Sequence, residues 1–247
     1  AAHEIETVRP ELKEFVENIM VPMDAQRGDK LPVSALAKGV DGTLPVGTSA
    51  FEKRGIAVDV PKWIPENCIQ CGQCSLVCPH AVIRPYALTK EELSAAPEGA
   101  KSAPMKGKGC EDYAFMISVS PYDCTGCGSC ANICPAKEKA LVMEPLESQK
   151  TQNGVFLYAL EHVAEKKLPF AAETVKGSQF RTPLLEFSGA CAGCGETPYV
   201  KLATQLFGDR MMIANATGCS SIWGAAAPST PYTINKEGKG PAWENSL

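Results

Sequence analysis

No stretch of this sequence is long and apolar enough to cross a bilayer, and no block of clustered lysine and arginine interrupts its 247 residues. The first absence removes a helical membrane span. The second, with a formal net charge of -4 and a pI near 5.5, removes general nucleic-acid binding, which draws on phosphate-neutralising cations. The opening residues "AAHEIETVRPELKEF" lack the apolar core of a secretion signal, so the chain is expected to act in the cytoplasm, with neither membrane nor nucleic acid as partner. Histidine is scarce. His3 and His162 read as exposed, and His80, which follows a Cys-Pro pair, reads as structural or as lying just outside a site.

What the sequence does have is cysteine, twelve residues of it, beside a hydrophobic share of 45% that is ample for a packed core. Disulfide scaffolds are usually shorter, secreted and more evenly spaced. Here Cys68, Cys71, Cys74 and Cys78 fall within eleven residues, and Cys124, Cys127, Cys130 and Cys134 repeat their spacing as C-x2-C-x2-C-x3-C-P. A structural zinc site needs two C-x2-C knuckles and has no use for the extra cysteine of each run. A 4Fe-4S cube does: three close thiolates grip three corners, and the fourth corner is reached by the last cysteine of the other run. On that logic Cys68, Cys71, Cys74 and Cys134 hold one cluster, and Cys124, Cys127, Cys130 and Cys78 the other. Pro79 and Pro135 end each local helix and turn the last cysteine away. Gly72, Gly126, Gly128 and Ser129 are small enough to let backbone N–H groups approach the sulfurs.

Around the repeats the chain changes character. "RPELKEFVENIM" places Leu12, Phe15, Val16, Ile19 and Met20 at helical spacing, with Pro22 suited to the stop. Leu31 to Trp63 is punctuated by proline and glycine and reads as an extended connector. Residues 80–123, between the repeats, read as an insertion with one strand at "YAFMISV" and a surface loop at "SAAPEGAKSAPMKGKG". A helix is expected through Phe156, Leu160 and Val163. From "TPLLEF" onward the order strand, cysteine turn, helix, strand marks the start of an α/β unit, its helix burying Tyr199, Leu202, Ala203, Leu206 and Phe207.

The repeat resembles the bacterial two-cluster ferredoxin fold. The wider segment "GTSAFEKRGIAVDVPKWIPENCIQCGQCSLVCPHAVIRP" is similar to the ferredoxin-like domain of the pyruvate:ferredoxin oxidoreductase family, and "FSGACAGCGETPYVKLATQLFGDRMMIANATGCSSIWG" to the opening of its thiamine diphosphate domain. The resemblance implies an α+β ferredoxin-like domain with an insertion, followed by the start of an α/β thiamine diphosphate domain. The expected boundaries are a linker with one helix over 1–47, the two-cluster domain over 48–164 and an incomplete thiamine diphosphate domain over 165–247. It further implies three 4Fe-4S clusters, thiamine diphosphate and magnesium, with pyruvate and coenzyme A as substrates, ferredoxin as acceptor and a homodimeric enzyme of which this chain is one segment. Cys191, Cys194 and Cys219 match three ligands of the third cluster, and Glu196 and Cys219 match positions that line the thiamine. The remaining cluster ligand and the magnesium motif match nothing in this chain, so no catalytic residue is assigned.

Read without that resemblance, Cys191 and Cys194 are a redox pair or half of a zinc site, and Glu196 is an acidic residue suited to a helix N-terminus. Cys110 belongs to no spacing and reads as a buried or loop thiol, and Trp63 reads as packing. The alternative functions are a free-standing polyferredoxin-type electron carrier, or an oxidoreductase for a different 2-oxo acid.

Overall fold

The computed structural model describes residues 9–245, so His3 lies outside the described residues. In chain order the elements are α1 (Lys13–Phe15), α2 (Val21–Asp24), β1 (Asp59–Trp63), α3 (Gln73–Leu76), β2 (Ile83–Leu88), α4 (Lys90–Ser94), β3 (Ala103–Pro104), β4 (Ala114–Val119), α5 (Ser129–Ile133), β5 (Leu141–Pro145), α6 (Gln152–His162), α7 (Val175–Gln179), α8 (Thr197–Phe207), β6 (Met212–Asn215), α9 (Cys219–Gly224) and β7 (Ala242–Asn245). Chain contacts gather them into two compact units. One takes residues 54–183 and 191–207; the other takes the chain up to 53, residues 184–190 and the chain from 208 onward. Where the sequence suggests three consecutive stretches, the units are thus discontinuous, and the region after 165 contributes to both.

In the unit of 54–183 and 191–207, each cysteine repeat sits between two strands. β1 precedes the first repeat and β2 follows it; β4 precedes the second and β5 follows it. The pairing crosses over. β1 pairs antiparallel with β5, from Asp59 opposite Pro145 to Trp63 opposite Leu141, and β2 pairs antiparallel with β4, from Ile83 opposite Val119 to Leu88 opposite Ala114. So the strand leaving each repeat lies against the strand entering the other. Residues 80–123 supply β2, β3 and β4, a three-stranded sheet in the order β2-β4-β3 rather than one strand and a loop. Pro85 is tolerated because β2 is an edge strand of that sheet. Trp63 packs edge-on against Phe115, with ring centroids 5.8 Å apart, and Phe115 against Phe180 at 6.1 Å. α6 buries Val155, Phe156 and Ala159, and Val163 is buried at its end.

α8 departs from expectation. Its apolar stripe is not the buried one: Tyr199 is 77% and Phe207 50% exposed. Thr197, Lys201, Thr204 and Gln205 are buried instead. These residues also recur at i, i+4, i+7 and i+8, so the helix has two faces of similar width. The polar one is chosen because its groups find partners: Gln205 Nε2 donates to Arg181 O (2.9 Å), Gln179 Nε2 donates to Gln205 Oε1 (3.1 Å) and Ser75 Oγ donates to Gln179 Oε1 (2.9 Å).

In the other unit the first helix does not stop at Pro22. A 3-10 turn (Pro10–Leu12), α1, a π segment (Val16–Met20) and α2 follow without a break to Asp24. Pro22 has no N–H for an α-type bond and its ring crowds the preceding turn, so the widened segment just before it, with Val21 N donating to Val16 O, accommodates the proline. Leu12, Val16 and Met20 form the buried side, with Phe15, Val21 and Phe51 packed on them. The expected connector is not extended throughout, since 3-10 turns occupy Val33–Gly39 and Thr48–Phe51. Thr48 Oγ1 donates to Pro228 O (2.5 Å) and accepts from Thr230 N (2.7 Å), while Ser49 Oγ donates to Glu186 O (2.9 Å). The strand expected at "TPLLEF" reduces to a single bridge, Leu185 to Tyr232, whereas β6 and β7 pair in parallel, as consecutive strands of α/β chains do. Among the described residues no helix is long and apolar enough to cross a membrane.

Candidate metal centre

The crossed pairing decides where each cysteine goes. Cys78 lies five residues before Ile83, and Cys124 five residues after Val119, the partner of Ile83. The last cysteine of the first repeat is therefore delivered to the start of the second. Likewise Cys68 follows Trp63 by five residues, and Cys134 precedes its partner Leu141 by seven. Ser120 N donating to Val82 O (2.9 Å) and Ile64 N donating to Ala140 O (2.8 Å) extend both pairings toward the loops.

The electrostatics of the thiols follow the same grouping except at Cys130, where Cys74 of the other group also acts. Burial pushes the Cys74 thiol up to about 12, and Cys68, Cys71 and Cys134 push it in the same direction. Burial raises Cys124 to about 12 against a lowering bond from the Gly126 N–H, with Cys78 and Cys127 among the groups that add to the rise. Cys130 is raised by burial and then by Cys78, Cys74, Cys124 and Cys127. Two groups of four emerge, Cys68, Cys71, Cys74 and Cys134 in one, Cys78, Cys124, Cys127 and Cys130 in the other, with Cys74 and Cys130 in reach of each other.

Thiols that are desolvated and disfavour one another's ionisation gain from a cationic centre that accepts thiolate, and four soft sulfurs per group suit iron–sulfur ligation. Among the described residues no three His, Cys, Asp or Glu side chains converge on one metal-ion position; a cubane instead spreads four thiolates over four iron corners. The second group lines a partly open pocket walled also by Pro61, Val82, Ile83 and Met143, and by buried His80. Apolar walls of this kind keep water from a centre and tune its potential.

Both loops turn through the left-handed region twice, at Gln70 (φ 60°) and Gly72 (79°) in the first repeat and at Gly126 (70°) and Gly128 (74°) in the second. The turn aims the Gln70 N–H at Cys68 Sγ and the Gly126 N–H at Cys124 Sγ, each at 3.4 Å. Gly72 and Gly128 then start α3 and α5. A non-glycine residue in this conformation costs about 1–2 kcal/mol. Gln70 offsets it with two buried bonds to the segment between the repeats: its Nε2 donates to Pro104 O (2.8 Å) and its Oε1 accepts from Lys106 N (2.7 Å).

The remaining candidates belong to neither group of four. Cys191 and Cys194 form a turn closed by Cys194 N donating to Cys191 O (3.1 Å). That turn abuts the second group, since a Cβ at Gly193 would stand 3.7 Å from Cys127 Cβ. Burial alone would raise the Cys194 thiol, but the N–H groups of Thr197 and Glu196 at the start of α8 outweigh it and hold the thiol below its ordinary range. Glu196 is exposed, and its carbonyl accepts from Tyr199 N (3.0 Å), the first bond of α8. Cys219, exposed, opens α9 in the other unit. Cys110 is fully buried.

Lys201 was not singled out from the sequence. It is 1% exposed, and its Nζ donates to Ser75 O, to Leu76 O (3.2 Å) and to Cys78 O (3.2 Å), main-chain oxygens at the end of α3. Burial lowers its pKa to about 8, Cys78 and Cys74 oppose that fall, and Arg84 adds to it. The signal available was the polar face of α8, whose spacing matches that of its apolar stripe.

Residues 64–137 match the model of the 4Fe-4S dicluster domain, and residues 2–57 match a domain of unknown function designated EKR. Over 236 residues, 96% of this chain and 20% of the relative, the chain is 60% identical to a pyruvate-flavodoxin oxidoreductase of Klebsiella pneumoniae. It is also 60% identical to a pyruvate:ferredoxin oxidoreductase of Moorella thermoacetica over 234 residues, covering 95% of the chain and 20% of the relative. A pyruvate dehydrogenase [NADP(+)] of Cryptosporidium parvum is 52% identical over 241 residues, 96% of the chain and 12% of the relative. The chain is therefore homologous to one segment of pyruvate oxidoreductases and contains a 4Fe-4S dicluster domain. It spans about a fifth of the length of the first two of these relatives.

Proposed function

We propose that this chain is the electron-transfer segment of an oxidoreductase that converts pyruvate and coenzyme A to acetyl-CoA and carbon dioxide, working in the cytoplasm as a homodimer. The observation that supports the reading is the crossed pairing of β1 with β5 and of β2 with β4, which carries the end of each cysteine run toward the start of the other. Cys68, Cys71, Cys74 and Cys134 hold one 4Fe-4S cluster, and Cys78, Cys124, Cys127 and Cys130 the other. Cys191, Cys194 and Cys219 contribute to a third, in a thiamine diphosphate domain that begins within this chain; Glu196 lines the thiamine, and magnesium is held mostly by residues beyond this chain. Bound thiamine diphosphate supplies the electron sink for decarboxylation, and each cluster takes or releases one electron at a time.

The chain's own residues position and insulate that route. The loops fix the sulfurs, Pro61, Val82, Ile83 and Met143 give the second group apolar walls, and the Cys191–Cys194 turn beside Cys127 supports entry there. The Thr197 and Glu196 N–H groups lower the Cys194 thiol pKa, which favours the thiolate that a metal ligand needs. The acceptor is a low-potential one-electron carrier, ferredoxin or flavodoxin. The names of the relatives support that pair, and segments at least 50% identical occur in proteins named for ferredoxin, flavodoxin and NADP(+).

The test uses the full-length protein, purified without oxygen. Reduction of added ferredoxin or flavodoxin that depends on both pyruvate and coenzyme A, and that is lost in Cys127→Ser, is the expected result. Turnover with 2-oxoglutarate in place of pyruvate, or loaded clusters with no dependence on any 2-oxo acid, would overturn the substrate or the enzyme reading respectively.

A further inference from the structure

The buried side of α8 brings a lysine amine to the ligand loops. All three ammonium protons of Lys201 have a main-chain acceptor, in Ser75, Leu76 and Cys78. Ser75 follows Cys74, a member of the first group, while Cys78 belongs to the second. The ammonium thus sits where the two groups meet. The ionisable groups that act on it are Cys78 and Cys74, which favour the cation, and Arg84, which opposes it. Arg84 is buried too, with Nε donating to Ala81 O (2.8 Å) and its guanidinium 5.3 Å from the Phe156 ring centre.

A buried ammonium is costly unless negative charge lies close to it. Carbonyl dipoles at the end of a four-residue helix answer only part of that demand, and Cys78 and Cys74 are the nearby groups that would supply negative charge once ligated as thiolates. An iron–sulfur cube held by four thiolates is an anion, and reduction makes it more negative by one. A fixed cation beside it favours the reduced form more than the oxidised one.

We propose that Lys201 sets the reduction potentials of the two clusters, raising the potential of at least one of them by its position between Cys74 and Cys78. The inference rests on the reading that both groups carry 4Fe-4S clusters. It makes Lys201 a positioning residue that acts on electron transfer through the ligands, and it explains why α8 buries its polar face.

The test is an anaerobic dithionite titration of the full-length protein, followed by the electron paramagnetic resonance of the reduced clusters. Lys201→Met keeps an unbranched side chain, one atom shorter, and removes the charge. The expected result is a reduction equilibrium constant for at least one cluster lower by about tenfold, 59 mV for one electron, with iron and sulfide content unchanged. Ser75→Ala disturbs the same buried network without touching a charge and is expected to leave both potentials in place. Unshifted potentials in a fully loaded Lys201→Met protein overturn the proposal, as does an equal shift in Ser75→Ala, which would make the effect one of packing. Should Lys201→Met fail to load iron, Lys201→Arg decides. Potentials kept there support the charge, and a tenfold fall there overturns it. Wild-type protein without iron and sulfide would instead sink the cluster reading itself, so the two failures are distinct.

Discussion

The two cysteine repeats share a spacing and a backbone path, yet they reach that path by opposite means. At the third position Gly126 meets the left-handed requirement by having no side chain. A Cβ there would stand 3.1 Å from Asp59 O and 3.3 Å from Ala57 Cβ, so any side chain would crowd them. At the equivalent position Gln70 keeps a side chain and spends it on Pro104 and Lys106. The sulfur spacing answers to the cluster, and the loop between the sulfurs answers to whatever packs behind it. The segment between the repeats thereby gains a purpose: it braces the first loop, a task the second does not need.

The largest expected effect breaks the apparent independence of the repeats. Cys78→Ser should strip the group that contains the second repeat's first three cysteines, with about half the iron and sulfide of the two-cluster domain lost. Adding Cys124→Ser should then cost little more, because both residues serve one group. Adding Cys68→Ser should remove the remainder. Iron and acid-labile sulfide analysis of the single and double variants reads this directly, and equal losses in both doubles would contradict crossed ligation.

Gly126→Ala tests the other side of the comparison. The left-handed backbone and the crowding at Asp59 together are expected to lower unfolding stability by about 2–3 kcal/mol, measured by anaerobic denaturant unfolding. Gln70→Ala should cost about 2 kcal/mol, since it leaves the Lys106 N–H and the Pro104 carbonyl without their partner. Gln70→Gly loses the same bonds and recovers roughly 1 kcal/mol of backbone strain, so it should be the milder of the two. The reverse order would mean that strain at Gln70 matters little.

A smaller effect concerns how the bracing segment is itself attached. Glu92, in the capping box of α4, accepts from Thr89 N (2.8 Å), Ala164 N (3.2 Å) and Lys166 Nζ (2.6 Å). Burial would raise its carboxyl, but Lys166 and the two N–H groups outweigh this and hold it below the usual range. A depressed carboxyl stabilises the fold above its unfolded pKa of about 4.3 and loses that contribution as pH falls through the folded value. Glu92→Gln should therefore cost about 1 kcal/mol at pH 7, and the gap to the wild type should close below about pH 4 in thermal unfolding.

Much of this arrangement was legible in the residues. Spacing pairs Cys78 with the second repeat and Cys134 with the first as an expectation, and the crossed strands are compatible with it. The sheet built from residues 80–123 was harder to see. Pro85 and the short stretch of β3 break the alternation by which strands announce themselves, and only the hydrogen-bond partner β4 makes them strands. The orientation of α8 was not recoverable from its periodicity. Its polar and apolar faces recur at the same intervals, and the choice rests on carbonyls and amides that come from elsewhere in the chain, at Ser75, Cys78 and Arg181. Gln70 carried no signal either, because a glutamine in a left-handed turn is recognised only by the partners that hold it there.

Metal and acid-labile sulfide analysis of the chain, isolated and handled without oxygen, tests the central claim most directly. About eight iron and eight sulfide for the two groups, with a broad brown absorbance that bleaches on reduction, is the predicted result. Colourless protein with stoichiometric zinc and no sulfide would contradict it.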